Sequence, residues 1–335
     1  MARDLSKSVV VVTGASSGIG RATALAFAEA GASVVLTARR EDALQAAARE
    51  CEERGAQALA VAADVRDQEA VDRVAAAGVE RFGGIDVWVN NAGVTLFSRF
   101  DEVPADLWRE VLEVNFFGYV SGARAALARF RPRSSGTLIN VGSVNSRVGA
   151  PYVSAYVSSK FAVRGFAECL RDEVGREGID VCTVMPASID TPLFQHAANF
   201  TGRAAKPLRP VLAPERVAAA IVRCAKRPRR EVVVGMSGRQ LLLLHALAKP
   251  LFERVMTRNV EREHFRDEPL PPTEGNVRAP MPEWTGVTGG WKAGDASPKG
   301  SGPAREAIGA GAALSAMALA GVALAGAAAR TFGRR

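Results

Sequence analysis

Four cysteines and three histidines are all that this 335-residue chain offers to a soft metal, and neither set is grouped. Cys51, Cys169, Cys182 and Cys224 are scattered, without a Cys-x-x-Cys or a zinc spacing, which argues against a disulfide framework and a structural zinc site. They read as buried or idle thiols in a reducing cytoplasm. His196, His245 and His264 form no ligand pattern, so a surface or core role is the default for each and no metal is expected. Aromatic residues make up only 6% of the chain and are not interleaved with the basic ones. Nucleic acid is therefore not an expected partner, in spite of a formal net charge of +8. No basic n-region with an apolar h-region opens the sequence, so no secretory signal is read there.

Tyrosine is scarce as well. Of Tyr119, Tyr152 and Tyr156, only the last has a lysine at the fourth following position, Lys160, and Ser143 lies thirteen residues upstream of it. Positions four apart share one helix face, so the phenol and the ammonium point the same way. A nearby ammonium favours the phenolate and is expected to lower the tyrosine pKa from about 10 toward working pH. A phenol so tuned can give a proton to a carbonyl or take one from an alcohol. Taken alone, the pair also fits an ordinary helix surface.

The N-terminal segment supplies a context for it. Val9-Val10-Val11-Val12 is a continuous β-branched run of the kind buried on both faces of a parallel sheet. Thr13-Gly14-Ala15-Ser16-Ser17-Gly18-Ile19-Gly20 follows, then an alanine-rich helical stretch over 21–30, Gly31 as its stop, and a second strand from Val34. In a strand–turn–helix–strand unit, such glycines let the backbone approach a pyrophosphate, while the helix N-terminus offers free N–H groups.

With these residues the chain resembles the classical short-chain dehydrogenase/reductase family over about residues 7–235. Gly14, Ser16, Ser17, Gly18, Ile19 and Gly20 match the family's cofactor turn. Asp64-Val65, after the apolar run 59–63, stand where the family holds the adenine ring. Asn90-Asn91-Ala92-Gly93, after the run 85–89, matches its Asn-Asn-Ala-Gly, and Asn115 matches its helix asparagine. Ser143, Tyr156 and Lys160 complete the implied catalytic set. The segment 186–192 resembles the loop after the sixth strand, with Ala187 where glycine is usual; a methyl group there requires a negative φ.

The end of the second strand bears on the cofactor. It reads Leu36-Thr37-Ala38-Arg39-Arg40, with no acid before Glu41. A carboxylate would bind a ribose 2′-hydroxyl, as in NAD enzymes, and repel a 2′-phosphate that guanidinium groups bind well. Arg39 is the better candidate, and NADP(H) is expected over NAD. Arginines after a strand can also be mere surface charge, and Ser17 lacks the basic side chain that some NADP-using relatives carry in the turn.

By the same resemblance, Tyr156 is the general acid/base, and Lys160 tunes it and bonds the nicotinamide ribose. Ser143 steadies the reacting oxygen, Asn115 holds a water of the proton relay, and Thr191 bonds the carboxamide.

The C-terminal third differs in charge. Residues 201–335 carry 22 Lys/Arg and 11 Asp/Glu, a net of +11, against −3 for residues 1–200. An apolar stretch over 240–260 reads as an amphipathic helix broken near Pro250, either packed on the core or facing a membrane. Residues 269–304 hold seven Pro and seven Gly and read as a flexible tether. Residues 307–329 lack charge altogether and, as a helix of about 34 Å, match a bilayer core of about 30 Å. Their Ala/Gly richness leaves a surface helix or disorder as the alternative.

The expected organisation is a doubly wound, Rossmann-type α/β domain of about seven strands over 1–266, a linker over 267–304 and an apolar tail over 305–335 that would anchor a cytoplasmic enzyme to a membrane. The expected function is NADP(H)-dependent hydride exchange with a hydrophobic carbonyl or secondary alcohol, in a homo-oligomer. The apolar segment 188–214, with Leu193, Phe194, Phe200, Leu208 and Leu212, is the expected substrate segment. A 3-oxoacyl reductase of carrier-bound chains and a membrane-tethered dinucleotide sensor without turnover are the alternatives.

Overall fold

The valine run after Ser8 forms β1 (Val9–Thr13), and all five of its residues are buried. In the computed structural model, which describes residues 3–292, it lies inside one sheet, with strands on both sides. The other strands are β2 (Ser33–Ala38), β3 (Ala58–Ala62), β4 (Val87–Asn90), β5 (Gly136–Val141), β6 (Ile179–Pro186) and β7 (Glu231–Val234). The seven are parallel and ordered β3-β2-β1-β4-β5-β6-β7; their number is the one the apolar runs lead one to expect. Val10 pairs with Val34 on one side and Val87 on the other. The chain reverses its direction of travel between β1 and β4, and such switch points are where open α/β sheets bind ligands.

Helices cover both faces because each carries one apolar stripe. On one face α1 (Gly18–Glu29), α2 (Glu41–Glu52) and α7 (Pro214–Lys226) bury Phe27, Leu44 and Ile221 against β1, β2 and β6. On the other are α3 (Gln68–Phe82), α4 (Ala105–Leu112), α5 (Gly118–Phe130) and α6 (Ser154–Val174). They enclose Trp88, Leu107, Phe130 and Val174 in a second core. Each fully buried side chain of this size contributes roughly 1.5–3 kcal/mol. α1 starts at Gly18 rather than Arg21, and Gly31, at φ +83, turns the chain out of it. A π-helical turn, Glu113–Phe117, joins α4 to α5.

The apolar stretch near Pro250 is two helices, α8 (Met236–Leu247) and α9 (Lys249–Glu263), with the proline in the first turn of α9. There its missing N–H costs nothing. Phe252, Met256 and Val260 are buried, so this region packs on the domain, while Leu243, Leu247 and Leu251 remain exposed.

Beyond α9, Phe265–Pro269 pairs antiparallel with Arg203–Ala205. Where composition reads as a flexible tether, the described part as far as Lys292 is laid against the domain. Its backbone groups find partners there: Asn199 and Thr273 exchange N–H···O bonds of 2.8 and 3.0 Å, and Asn276 N–H donates to His196 O at 2.9 Å. No helix among the described residues is long and apolar enough to cross a membrane. The segment 307–329 lies outside the described residues.

Candidate active site

Four loops at the carboxyl edge of the sheet build the site: those after β1, β4, β5 and β6. Ser143 follows β5 and N-caps a short turn, Val144–Ser146; its Oγ accepts from Asn145 N–H at 3.1 Å. Tyr156 and Lys160 stand on the first turns of α6, four residues apart on one face. Lys160 is 4% exposed, and its Nζ donates to Val141 O at 3.0 Å and to the Tyr119 hydroxyl at 3.3 Å. Burial pushes the Lys160 ammonium down to about 7. Burial raises the Tyr156 phenol above its usual range, and the Ser143 hydroxyl opposes that rise.

The simple expectation of a tyrosine drawn down by its lysine is thus corrected. The ammonium lies 5.7 Å from the Tyr156 ring centre. The loss of water around both groups outweighs their attraction, and it is the lysine that moves toward neutrality.

Asn115 sits in the π-helical turn, fully buried. Its Oδ1 accepts from Val94 N–H at 2.8 Å, and its Nδ2 donates to Val94 O at 2.9 Å and Ser159 Oγ at 3.1 Å. The side chain therefore ties the loop after β4 to α6, one residue before Lys160. Single π turns inside helices are frequent at functional sites.

Tyr119 was not among the residues singled out from the sequence. Its hydroxyl donates to Val141 O at 3.0 Å, so Lys160 and Tyr119 share one carbonyl. Burial holds its phenol well above the usual range, with Tyr156 adding to the effect. Its place four residues after Asn115 was the available signal.

The turn after β1 has the shape of a phosphate cradle. Gly18 has φ +54, and a Cβ there would come within 3.3 Å of Thr191 Cβ. A Cβ at Gly20 would come within 2.1 Å of Gly14 O. Ser16, Ser17 and Ile19 lie half-buried along the turn, and the N-cap Ser17 makes no side-chain cap bond. The Ser17 side chain thus leaves the first turn of α1 uncapped, and the pyrophosphate of a dinucleotide fits the cradle. Asn91 supports the turn from behind: its Nδ2 donates to Thr13 O at 2.8 Å, and its N–H to Thr13 Oγ1 at 2.9 Å.

At the far end Arg39 and Arg40 leave β2 as expected. Asp64 is gripped by Arg66, with bonds of 2.7–3.1 Å. Burial alone would raise its carboxyl, but Arg66 overrides this and holds it below the ordinary range. Val65 is buried against Gly118. Thr191 is buried beside the glycine turn. Ala187 is absent from the positive-φ residues, so its methyl group fits. Among the described residues no cluster of His, Cys, Asp or Glu could hold a metal ion.

An α/β enzyme that holds a nicotinamide dinucleotide against a CH–OH or C=O group is the class this fold and site define. More narrowly, the chain belongs to the short chain dehydrogenase family, whose model matches residues 8–201. It is 37% identical over 276 residues to an uncharacterized oxidoreductase, YxnA, of Bacillus subtilis, covering 81% of this chain and 78% of that one. It is 38% identical over 224 residues to 3beta-hydroxysteroid dehydrogenase 1 of Eggerthella lenta, covering 65% of this chain and 86% of the relative. Among solved structures it is similar to an alcohol dehydrogenase of the archaeon Thermococcus sibiricus complexed with 5-hydroxy-NADP. The TM-score is 0.59 and the identity 32%, over 68% of this chain and 95% of that one.

Proposed function

We propose that the enzyme reduces hydrophobic ketones with NADPH, and oxidises the corresponding secondary alcohols in reverse, with Tyr156 as general acid/base. The observation that carries this reading is the border position of Tyr156. On one side of it stand Ser143 and Lys160; on the other it packs, as Phe194 does, against an apolar cluster that includes Phe97, Val148, Val153 and Phe252. A carbonyl carried on an apolar body fits that border. The steroid substrate in the name of the Eggerthella relative supports the same class.

Arg39 and Arg40, with no acid beside them on β2, support NADP(H), as does the NADP analogue bound to the archaeal relative. The bound nicotinamide supplies the hydride. Gly18, Ile19 and the turn serines would hold its pyrophosphate, Asp64 and Val65 would flank the adenine, and Thr191 would hold the carboxamide. In reduction Tyr156 gives its proton to the carbonyl oxygen while Ser143 donates a hydrogen bond to the same atom. Lys160, fixed by Val141 O and Tyr119, replaces that proton. Asn115 keeps the loop after β4 and the start of α6 in register.

A panel of apolar ketones with NADPH and with NADH tests the reading. Turnover confined to small polar carbonyls, or equal use of the two cofactors, would overturn it.

A further inference from the structure

Arg39, Arg40 and the Gly18 N–H, expected to recognise the dinucleotide, are already engaged, and by a single stretch of the same chain that also reaches Arg21, Asp190 and Thr191. At the adenosine end, Arg39 donates to Asn276 O at 2.5 Å, Arg278 O at 3.1 Å and Val277 O at 3.3 Å. Arg40 donates to Met281 O at 2.7 Å and Pro282 O at 2.9 Å. In the middle, Gly18 N–H donates to Gly286 O at 3.0 Å, and Arg21 to Thr285 O at 2.8 Å. At the nicotinamide end, buried Asp190 accepts from Gly289 N–H at 3.0 Å, Trp291 N–H at 2.8 Å and Lys292 N–H at 3.2 Å. The Trp291 indole donates to Thr191 O at 3.0 Å. The order along the segment follows the order of the groove.

We propose that residues 274–292 are an internal ligand of the dinucleotide groove, which the cofactor must displace from Arg39 and Gly18 in order to bind. Backbone carbonyls offer these donors what phosphate oxygens would offer, a row of acceptors, but without the charge. A phosphate is the stronger partner for a guanidinium, so the strap can hold the groove and still yield. Its attachment is graded. Arg278 pairs with Asp106 outside the groove and with Glu274 inside the strap, while the carbonyls of 281–286 depend on Arg40, Arg21 and Gly18. If the free enzyme is mostly strapped, apparent cofactor affinity falls by the fraction of open molecules.

The proposal rests on the groove being the dinucleotide site, and the test separates the two. A Cβ at Gly289 would lie 2.4 Å from Thr191 O, so Gly289→Val in the full chain expels the strap's end. NADPH and NADH binding are measured by quenching of tryptophan fluorescence and by calorimetry, without substrate. The expected result is binding to the variant about tenfold tighter than to the parent. In the parent, saturating NADPH should speed tryptic cleavage after Arg278 and Lys292. Equal affinity in parent and variant overturns the strap alone. Weaker binding by the variant, with NADPH protecting the segment from trypsin, overturns it in favour of a clasp that closes over bound cofactor. Absence of dinucleotide binding to either protein overturns the groove assignment and the strap with it.

Discussion

The two ends of the groove solve opposite electrostatic problems. At the nicotinamide end Lys160 and Tyr119 are packed away from water with Tyr156 half-buried beside them, and Lys160 meets a single carbonyl and one hydroxyl. Its charge is made expensive, so its proton is easily moved. At the adenosine end Arg39 and Arg40 keep their charge and are surrounded by carbonyl oxygens from 276–282. Burial lowers the pKa of the cations at both ends, but only the lysine reaches the neutral range; the guanidinium groups stay charged, and there the chain supplies acceptors. Proton transfer should therefore respond to burial and pH, and cofactor choice to the acceptors that compete for two guanidinium groups.

The contrast can be broken most forcefully at the nicotinamide end. Tyr156→Phe should lower turnover by about 10²–10⁴-fold while leaving NADPH affinity nearly unchanged; unaltered ketone reduction would remove the proton donor from the scheme. Next, Arg39→Ala should weaken NADPH binding by about 10- to 100-fold, as loss of hydrogen bonds to a charged group implies. NADH binding should hold or improve, because the same change loosens the strap; a parallel loss for both cofactors would show that Arg39 does not read the 2′-phosphate.

A smaller and sharper effect lies in pH. With Lys160 titrating at about 7, its charged fraction falls as pH rises through that value. Reduction, which draws a proton from the pair, should decline above pH ~7, and oxidation, which returns one, should gain. A flat reduction profile from pH 6 to 9 would break this link. Tyr119→Phe removes one of the two acceptors of Lys160 and should cost about 2- to 10-fold in turnover. The reduction limb should move to lower pH, a shift that loss of packing alone would not produce.

The weakest effect concerns His264, which burial among Phe97, Phe194 and Phe265 holds at about 4. The unfolded chain binds its proton near 6.5, so this contribution to stability is complete above that pH and fades as pH falls toward 4. Buried His196, also lowered, acts in the same sense. The fall in melting temperature between pH 6.5 and 4 should be shallower in His264→Gln; identical slopes would remove His264 from the account.

How much of this was legible beforehand depends on whether a contact is local. The valine run of β1 and the glycines after it specify strand, turn and helix within one short stretch, and the strand edges read from composition fall within about two residues of those observed. The Tyr156–Lys160 pair is one helical repeat. Tyr119 reaches Lys160 across 41 positions, through a carbonyl of β5, and no spacing encodes that. Residues 274–292 were harder still. Their proline and glycine content gives no periodicity, and what they offer Arg39, Arg40, Gly18 and Asp190 is mostly backbone carbonyl and N–H groups, which carry no sequence signature. The direction of the lysine's shift required burial to be known, since proximity alone argued for a lowered tyrosine.

The π-helical turn at Glu113–Phe117 has a consequence of its own. Each residue of a helix turns the chain by about 100°, so a widened turn works as a phase adjustment between the helix that precedes it and the one that follows. Deleting one residue there would restore a plain helix and rotate α5 by roughly that angle. The Tyr119 hydroxyl would swing away from Val141 and Lys160 while the sheet stayed whole. Apart from Asn115 and Tyr119, the stretch from the π turn through α5 can thus change residue type more readily than it can change length.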